Sequence, residues 1–353
     1  MLNQQVQSAR DAQQQTGGPG AQLRVDYVDG QAPEAVLADP GVLAVFGFGS
    51  QAPRCDDPRY LRIPLEPWGE APLEVWRTDA PVRHGREGDI TWASDGRLSF
   101  GVIEVDEAGI GITQAARHGY QALGRHVAAS ATPHMLRIWN YLDAITLGEG
   151  DEERYRQFCL GRADGMGSFD PDRLPAATGI GRYDGARILQ MYWLSAAAPG
   201  TPVENPRQIS AYRYPRQYGP QPPSFARAML PAEGTDIPLL LSGTAAIVGH
   251  ASQHEGQLLA QLEETFANFD ALLESARRNR PRLPASFGAG TRLKAPTSRC
   301  CCRALRPSWA TPRSMKASCW PSWKRPSPIS MRCWLRPDAA ARSCRPASVP
   351  APG

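Results

Sequence analysis

The chain reads as a soluble globular protein of mixed strands and helices, and three observations carry that reading. Short alternating or apolar runs, punctuated throughout by Pro and Gly, fill the stretch from Leu23 to Asp106. Helical periodicities follow, the clearest being Leu258, Leu259, Leu262, Phe266, Phe269, Leu272 and Leu273 at three- and four-residue steps. At 353 residues the chain has room for one large or two ordinary domains with a real hydrophobic core.

Taken in order, Leu23 to Val28 alternates, Val42 to Phe48 is an apolar run closed by Gly49, and Ile103-Glu104-Val105 precedes a turn, so each is expected as a strand. Ile112 to Ala131 predicts a helix with Ala115, Ala116, Tyr120, Leu123 and Val127 on one face, and Leu136 to Leu142 predicts a strand. Asp151-Glu152-Glu153 forms an acidic helix start, suited to the positive end of the helix dipole, and Tyr155, Phe158, Cys159 and Arg162 continue it. Ala176 to Gly181 and Ile188 to Ser195 read as paired strands. Pro199 to Pro223 is rich in Pro, Tyr and Arg, and an irregular stretch of that length usually carries function. Leu239 to Gly249 reads as an apolar strand containing Ser242-Gly243-Thr244-Ala245, and Phe287 to Lys294 begins another.

The remaining residues, Pro296 to Gly353, are of a different kind. They hold 11 of the 39 Lys and Arg but only one of the 35 acids, Asp338, so the formal charge of +4 hides a net acidic body. Six of the eight cysteines and four of the nine tryptophans also lie there. Read from the third base of each codon, Met315-Lys316 gives Glu, and the triplet before it gives His, reproducing His254-Glu255. Arg303 to Arg313 likewise gives Gly243 to Gln253, and Ala317 to Arg325 gives Gly256 to Glu264. The register holds from Pro296 against Thr235 to Gly353 against Arg292, with Glu274, Ser275, Asn279 and Arg282 as the exceptions. The tail is thus read as an out-of-frame translation of a second copy of the DNA encoding Thr235 to Arg292. Ten prolines and no apolar period make disorder or loose collapse its expected state.

That reading removes two tempting functions. Cys300-Cys301-Cys302 lacks the spaced pairs of a zinc module, and the basic, Trp-containing tail is not evidence of a nucleic-acid arm. Cys55 and Cys159 alone belong to the body, which implies no disulfide framework and agrees with a reducing compartment. The Gln-rich opening has no basic start followed by an apolar run, and no apolar stretch approaches the roughly 20 residues of a spanning helix. A cytoplasmic protein without membrane or nucleic-acid partners is expected.

Within the body, Gly47-Phe48-Gly49-Ser50 and Gly109-Ile110-Gly111 read as ordinary turns, because neither fits a dinucleotide fingerprint. His250 and His254 stand four apart, but Glu255 follows the second histidine instead of lying between them, so a helix-start or core histidine is expected there. Tyr212 to Pro220 and Ser224 to Arg227 gather phenols and guanidinium groups on irregular backbone, and arginine's planar fork suits carboxylates. Ser242-Gly243-Thr244-Ala245 is a small-residue segment where backbone donors can approach a ligand, and Arg292 is a further anion holder.

Several of these segments together resemble the chorismatases: Phe46 to Gly49, Arg137 to Leu142, Glu153 to Cys159, Pro175 to Gly181, Tyr214-Pro215-Arg216, Phe225 to Ala228 and Ser242 to His250. The resemblance runs from about Val25 to Lys294 and is strongest to the bacterial branch making 3- and 4-hydroxybenzoate from chorismate. It implies an α+β fold of two YjgF/Rid-like domains, mixed sheets with helices packed on one face, divided as 23–165 and 166–295 after a polar segment 1–22 and before the tail 296–353. It implies no metal or organic cofactor, chorismate as small-molecule partner, and a monomer or Rid-like homo-oligomer. Tyr214, Tyr218, Arg227, Gly243, Thr244, Ala245 and Arg292 are the implied substrate-binding residues. The implied catalytic group is a C-terminal glutamic acid that protonates the enolpyruvyl methylene so that pyruvate leaves. Such a residue is not present after Lys294, where the tail offers only Asp338, so an incomplete catalytic domain and very slow turnover are expected. A Rid-type imine hydrolase and a non-catalytic chorismate-binding remnant are the alternatives.

Overall fold

In the computed structural model, which describes residues 20–280 apart from 68, 70 and 169, the first half of the chain runs β1 (Arg24–Val28), α1 (Pro33–Leu37), β2 (Val42–Phe48), β3 (Tyr60–Ile63), β4 (Leu73–Arg77), β5 (Arg83–Glu87), β6 (Ile90–Ser94) and β7 (Leu98–Asp106). It continues through α2 (Gly111–Ala129), β8 (His134–Asp143), α3 (Arg154–Met166), β9 (Ala176–Arg182), β10 (Ile188–Ala196) and β11 (Thr201–Val203). Four short strands follow, β12 (Ala228–Leu230), β13 (Leu240–Leu241), β14 (Ile247–Val248) and β15 (Ala251–Ser252), and then α4 (Leu258–Asn279). All of these belong to a single unit. The segment from Phe287 to Lys294, Arg292 and the tail lie outside the described residues.

Two sheets and a helical pair stack in layers. A four-stranded sheet, ordered β1-β4-β2-β3, faces one side of a six-stranded sheet ordered β5-β6-β7-β10-β8-β9. Strand alternation makes this possible. In β10, Tyr192 and Leu194 join Phe46, Trp76 and Phe100 in the core between the sheets. Leu189, Met191 and Trp193 point the other way, into a core shared with Tyr120 of α2 and Phe158 of α3. The result is an α+β fold, the class the resemblance implied, with helices on one face of the larger sheet.

Small residues set the spacing of these layers. An added Cβ at Gly161 of α3 would lie 2.0 Å from the Thr113 carbonyl oxygen of α2, and one at Gly165 would lie 2.6 Å from that of Arg117. The pair four residues apart is therefore the seam on which α3 seats against α2. The α2 face is the one its periodicity predicts: Ala115, Ala116, Tyr120, Leu123 and Val127 are buried.

Several expectations need correction. Ala176 to Gly181 and Ile188 to Ser195 form strands but do not pair with each other. β8 lies between them, parallel to β9 and antiparallel to β10. The six-stranded sheet thus runs across the boundary expected after residue 165. The acidic start near Asp151 forms a 3-10 turn at Gly150–Glu152, and the α-helix begins at Arg154. Leu239 to Gly249 is not one strand. Ser242 N–H still bonds the Arg227 carbonyl opposite it at 2.8 Å, but the next donor leaves the ladder, Gly243 N–H bonding the Thr178 hydroxyl at 3.2 Å. In α4 the apolar stripe is only partly covered. Leu272 and Leu273 are buried, whereas Leu258, Leu259 and Phe266 are exposed.

Candidate functional site

Arg227 lies just before β12, on a segment held from two sides. Ala226 N–H donates to the Pro175 carbonyl at 3.0 Å, beside β9. Arg162, buried on α3 over the Tyr120 ring, donates to the Ser224 carbonyl at 2.7 Å. Ser242 completes the clamp: its hydroxyl donates to the Ala226 carbonyl at 2.6 Å and accepts from Ala177 N–H at 2.9 Å. Every one of these contacts fixes backbone, so the Arg227 side chain is aimed by the sheet rather than by its own loop.

The guanidinium is 4% exposed, yet its hydrogen bonds run from Nη2 to neutral oxygens, the Tyr214 phenol at 2.8 Å and the Ile209 carbonyl at 3.1 Å. Its Nε is buried and unpaired among the described residues. The group also lies over the Phe225 and Tyr214 rings, at 5.3 and 5.7 Å from their centroids. A buried cation without a hydrogen-bonded carboxylate and with an unused donor is a costly arrangement that an anionic ligand relieves.

From Tyr214 the ring contacts continue to Tyr218, with centroids 5.3 Å apart, and the Tyr218 hydroxyl lies 2.9 Å from His250 Nδ1. His250 thus stands in the turn between β14 and β15, engaged by a phenol, and neither starts a helix nor sits in the core as expected; α4 begins eight residues later, at Leu258. Arg216, in the same arginine-rich segment, is taken up by a two-pronged pair with Asp151 at 2.6 and 2.9 Å. Gly243, Thr244 and Ala245 are tied in place by different partners. Thr178 accepts from Gly243 N–H, Gln208 Nε2 reaches the Thr244 hydroxyl at 3.2 Å, and Asn268 Nδ2 donates to the Ala245 carbonyl at 2.9 Å. The Gly243 N–H is therefore consumed within the protein and is not the spare backbone donor the sequence suggested.

Sequence reasoning missed a strap, Glu204 to Ser210, that binds these pieces together. Asn205 Nδ2 donates to the Asn268 carbonyl of α4 at 2.8 Å, and Arg207 reaches Asn268 Oδ1 at 3.0 Å and Glu264 at 2.5 Å. Ile209 N–H donates to Gly249 and Gly249 N–H to Arg207, both at 2.8 Å. Glu204 accepts from the Arg227 N–H at 3.3 Å. Burial pushes its carboxyl above the usual range, against the opposing pull of Arg227, the Ser210 hydroxyl and Arg213. The signal available in the sequence was Glu204-Asn205-Pro206, a turn-forming run in the middle of the irregular region.

Elsewhere, Cys159 is buried beneath the site and its thiol is pushed up to about 12, chiefly by burial. Among the described residues no cluster of three His, Cys, Asp or Glu could hold a metal ion, and no helix is long and apolar enough to cross a membrane.

The α+β fold thus presents a buried arginine, Arg227, beside the Tyr214 phenol and the Phe225 ring. The family model for chorismatases of the FkbO/Hyg5-like type, N-terminal part, matches residues 74–195. A 3-hydroxybenzoate synthase of Streptomyces hygroscopicus is 35% identical over 232 residues, covering 64% of this chain and 67% of that protein. A chorismatase of Streptomyces rapamycinicus is 35% identical over 224 residues, covering 62% and 66%. A crystal structure of a chorismatase is 31% identical with a TM-score of 0.65, covering 74% of this chain and 80% of that one. The chain belongs to the chorismatase family and is by that membership an enzyme. Its matched segment spans about two thirds of the length of those curated relatives.

Proposed function

We propose that this site binds chorismate, with Arg227 holding one carboxylate and Arg292 the other, and that the reaction the fold serves is conversion of chorismate to 3- and/or 4-hydroxybenzoate with release of pyruvate. The observation that supports this best is the state of Arg227: buried and, among the described residues, with its guanidinium bonded to Tyr214 and Ile209 and its Nε unpaired. Tyr214 and Tyr218 would flank the ring of the ligand, and the Gly243-Thr244-Ala245 turn, free of large side chains, would form the wall it rests on. The cleavage step needs neither a metal nor an organic cofactor, because protonation of an enol ether requires only a positioned acid.

Turnover is the weak step of this chain. In the family that acid is a glutamate placed after the segment corresponding to Arg292-Leu293-Lys294, and residues 296–353 contain Asp338 as their single acid. The codon register that converts this tail into a second copy of Thr235 to Arg292 accounts for the absence. We therefore expect chorismate binding without ordinary turnover. Incubating the purified chain with chorismate and quantifying pyruvate and hydroxybenzoates tests this: release far below the roughly 1 to 1000 per second typical of enzymes is expected, and release within that range would overturn it.

A further inference from the structure

We infer that Glu204 is the positioning residue of Arg227 and that it takes up a proton when a carboxylate ligand binds there. The inference deepens the chorismate-site reading and rests on it.

The geometry is that of a carboxyl with two unlike oxygens. Oε1 accepts the main-chain N–H of Arg227, so it fixes the backbone from which the guanidinium projects. Among the described residues, Oε2 is buried with no hydrogen-bond partner, and so is Arg227 Nε. The positive groups felt by Glu204 are Arg227 and Arg213, with the Ser210 hydroxyl also turned to it. The neighbouring residue on the strap, Asn205, is locked to α4 through the Asn268 carbonyl, so Glu204 is anchored close to Arg227 rather than hanging in solvent.

The consequence for binding is electrostatic. In the free site, Arg227 offsets part of the cost of a buried negative charge on Glu204. A ligand carboxylate that claims the guanidinium removes this compensation and adds a second negative charge nearby. Both effects favour the neutral acid. Burial already raises the Glu204 carboxyl, so the ligand moves a group that is partway toward protonation, and proton uptake accompanies binding. Affinity should therefore fall as pH rises from the ordinary carboxylate range toward neutrality.

The test is isothermal titration of the full chain with chorismate, in buffers of different ionisation enthalpy and from about pH 5 to about pH 8, where the ligand's carboxylates are ionised. Wild type is expected to take up as much as one proton per ligand, and its dissociation constant to rise by up to about tenfold per pH unit between the ligand-free and ligand-bound Glu204 values, levelling off above them. Glu204→Gln keeps an acceptor for the Arg227 N–H and cannot titrate, so its affinity loses that slope and exceeds that of wild type at the alkaline end. Glu204→Ala loses the acceptor and binds more weakly than Glu204→Gln at every pH. Wild-type binding without proton uptake, a slope retained by Glu204→Gln, or equal affinity of Glu204→Ala and Glu204→Gln would each overturn the inference while leaving the carboxylate site standing. Absence of any binding by wild type would overturn both. The proton count comes from wild type alone and does not depend on either variant folding.

Discussion

Arg227 donates to the Tyr214 phenol at 2.8 Å, and among the described residues the other acceptor of that guanidinium is the Ile209 carbonyl. A buried arginine completed by neutral oxygens stays available to a ligand in a way that one locked to an aspartate is not. Arg216, locked to Asp151 at the surface, shows the other outcome within the same run of residues.

Substitutions at this pair should separate charge from shape. Arg227→Ala is expected to weaken chorismate binding by at least about thirtyfold, because loss of a buried charged partner costs about 2 to 5 kcal/mol. Tyr214→Phe keeps the ring and removes one hydrogen bond, so a loss of about tenfold is expected, corresponding to about 1.4 kcal/mol. Titration calorimetry of both variants checks the order.

Asn268 is the residue through which α4 holds the site. Fully buried, it donates to the Ala245 and Ile247 carbonyls, both at 2.9 Å, and accepts from Arg207 and Asn205. Asn268→Ala removes the three side-chain hydrogen bonds to Ala245, Ile247 and Arg207 at a fully buried position while leaving the Asn205 bond to the main-chain carbonyl, and a destabilisation of about 2 to 4 kcal/mol by urea unfolding is expected, more than a single lost hydrogen bond would give.

The helical seam gives a test remote from the site. Gly161→Ala would gain about 0.5 to 1 kcal/mol of helix propensity if the position were open. A methyl there meets the Thr113 backbone at 2.0 Å, so the seam must part and net destabilisation is expected. An increase in melting temperature would contradict the packing of α3 on α2.

Cys159 should be chemically silent in the folded chain. Its thiol is pushed up to about 12, mainly by burial, so little thiolate exists at neutral pH. Pulse alkylation followed by peptide mapping is expected to leave Cys159 unlabelled until denaturant is added.

Glu204 also predicts how stability varies with pH. Burial raises its folded carboxyl above the unfolded value, so the folded state binds more protons in the window between the two. Stability from this group is fully present below the unfolded value and is lost as pH rises through the folded one. Glu204→Gln should therefore gain melting temperature relative to wild type at neutral pH, with the gain shrinking as the solution is acidified.

The sequence revealed the parts governed by period and composition. Helix α2 and its buried face follow from Ala115, Ala116, Tyr120, Leu123 and Val127, and β2 from an apolar run with a glycine stop. Pairing was not legible. β9 and β10 are each plausible partners for the other by spacing, and only the three-dimensional insertion of β8 separates them. Tyr214, Tyr218 and Arg227 stood out in the sequence by residue type, and the structure brings them together. Glu204, Gln208 and Asn268 act through hydrogen bonds to residues 21 or more positions away in sequence, and no local pattern marks them.

Calorimetric titration of the purified wild-type chain with chorismate, with Arg227→Ala as the paired control, tests the central claim most directly. Saturable binding to wild type and its near loss in the variant are expected. Wild type that fails to bind chorismate, or a variant that binds as tightly, would contradict the assignment of Arg227 as the carboxylate holder of this chorismatase-family chain.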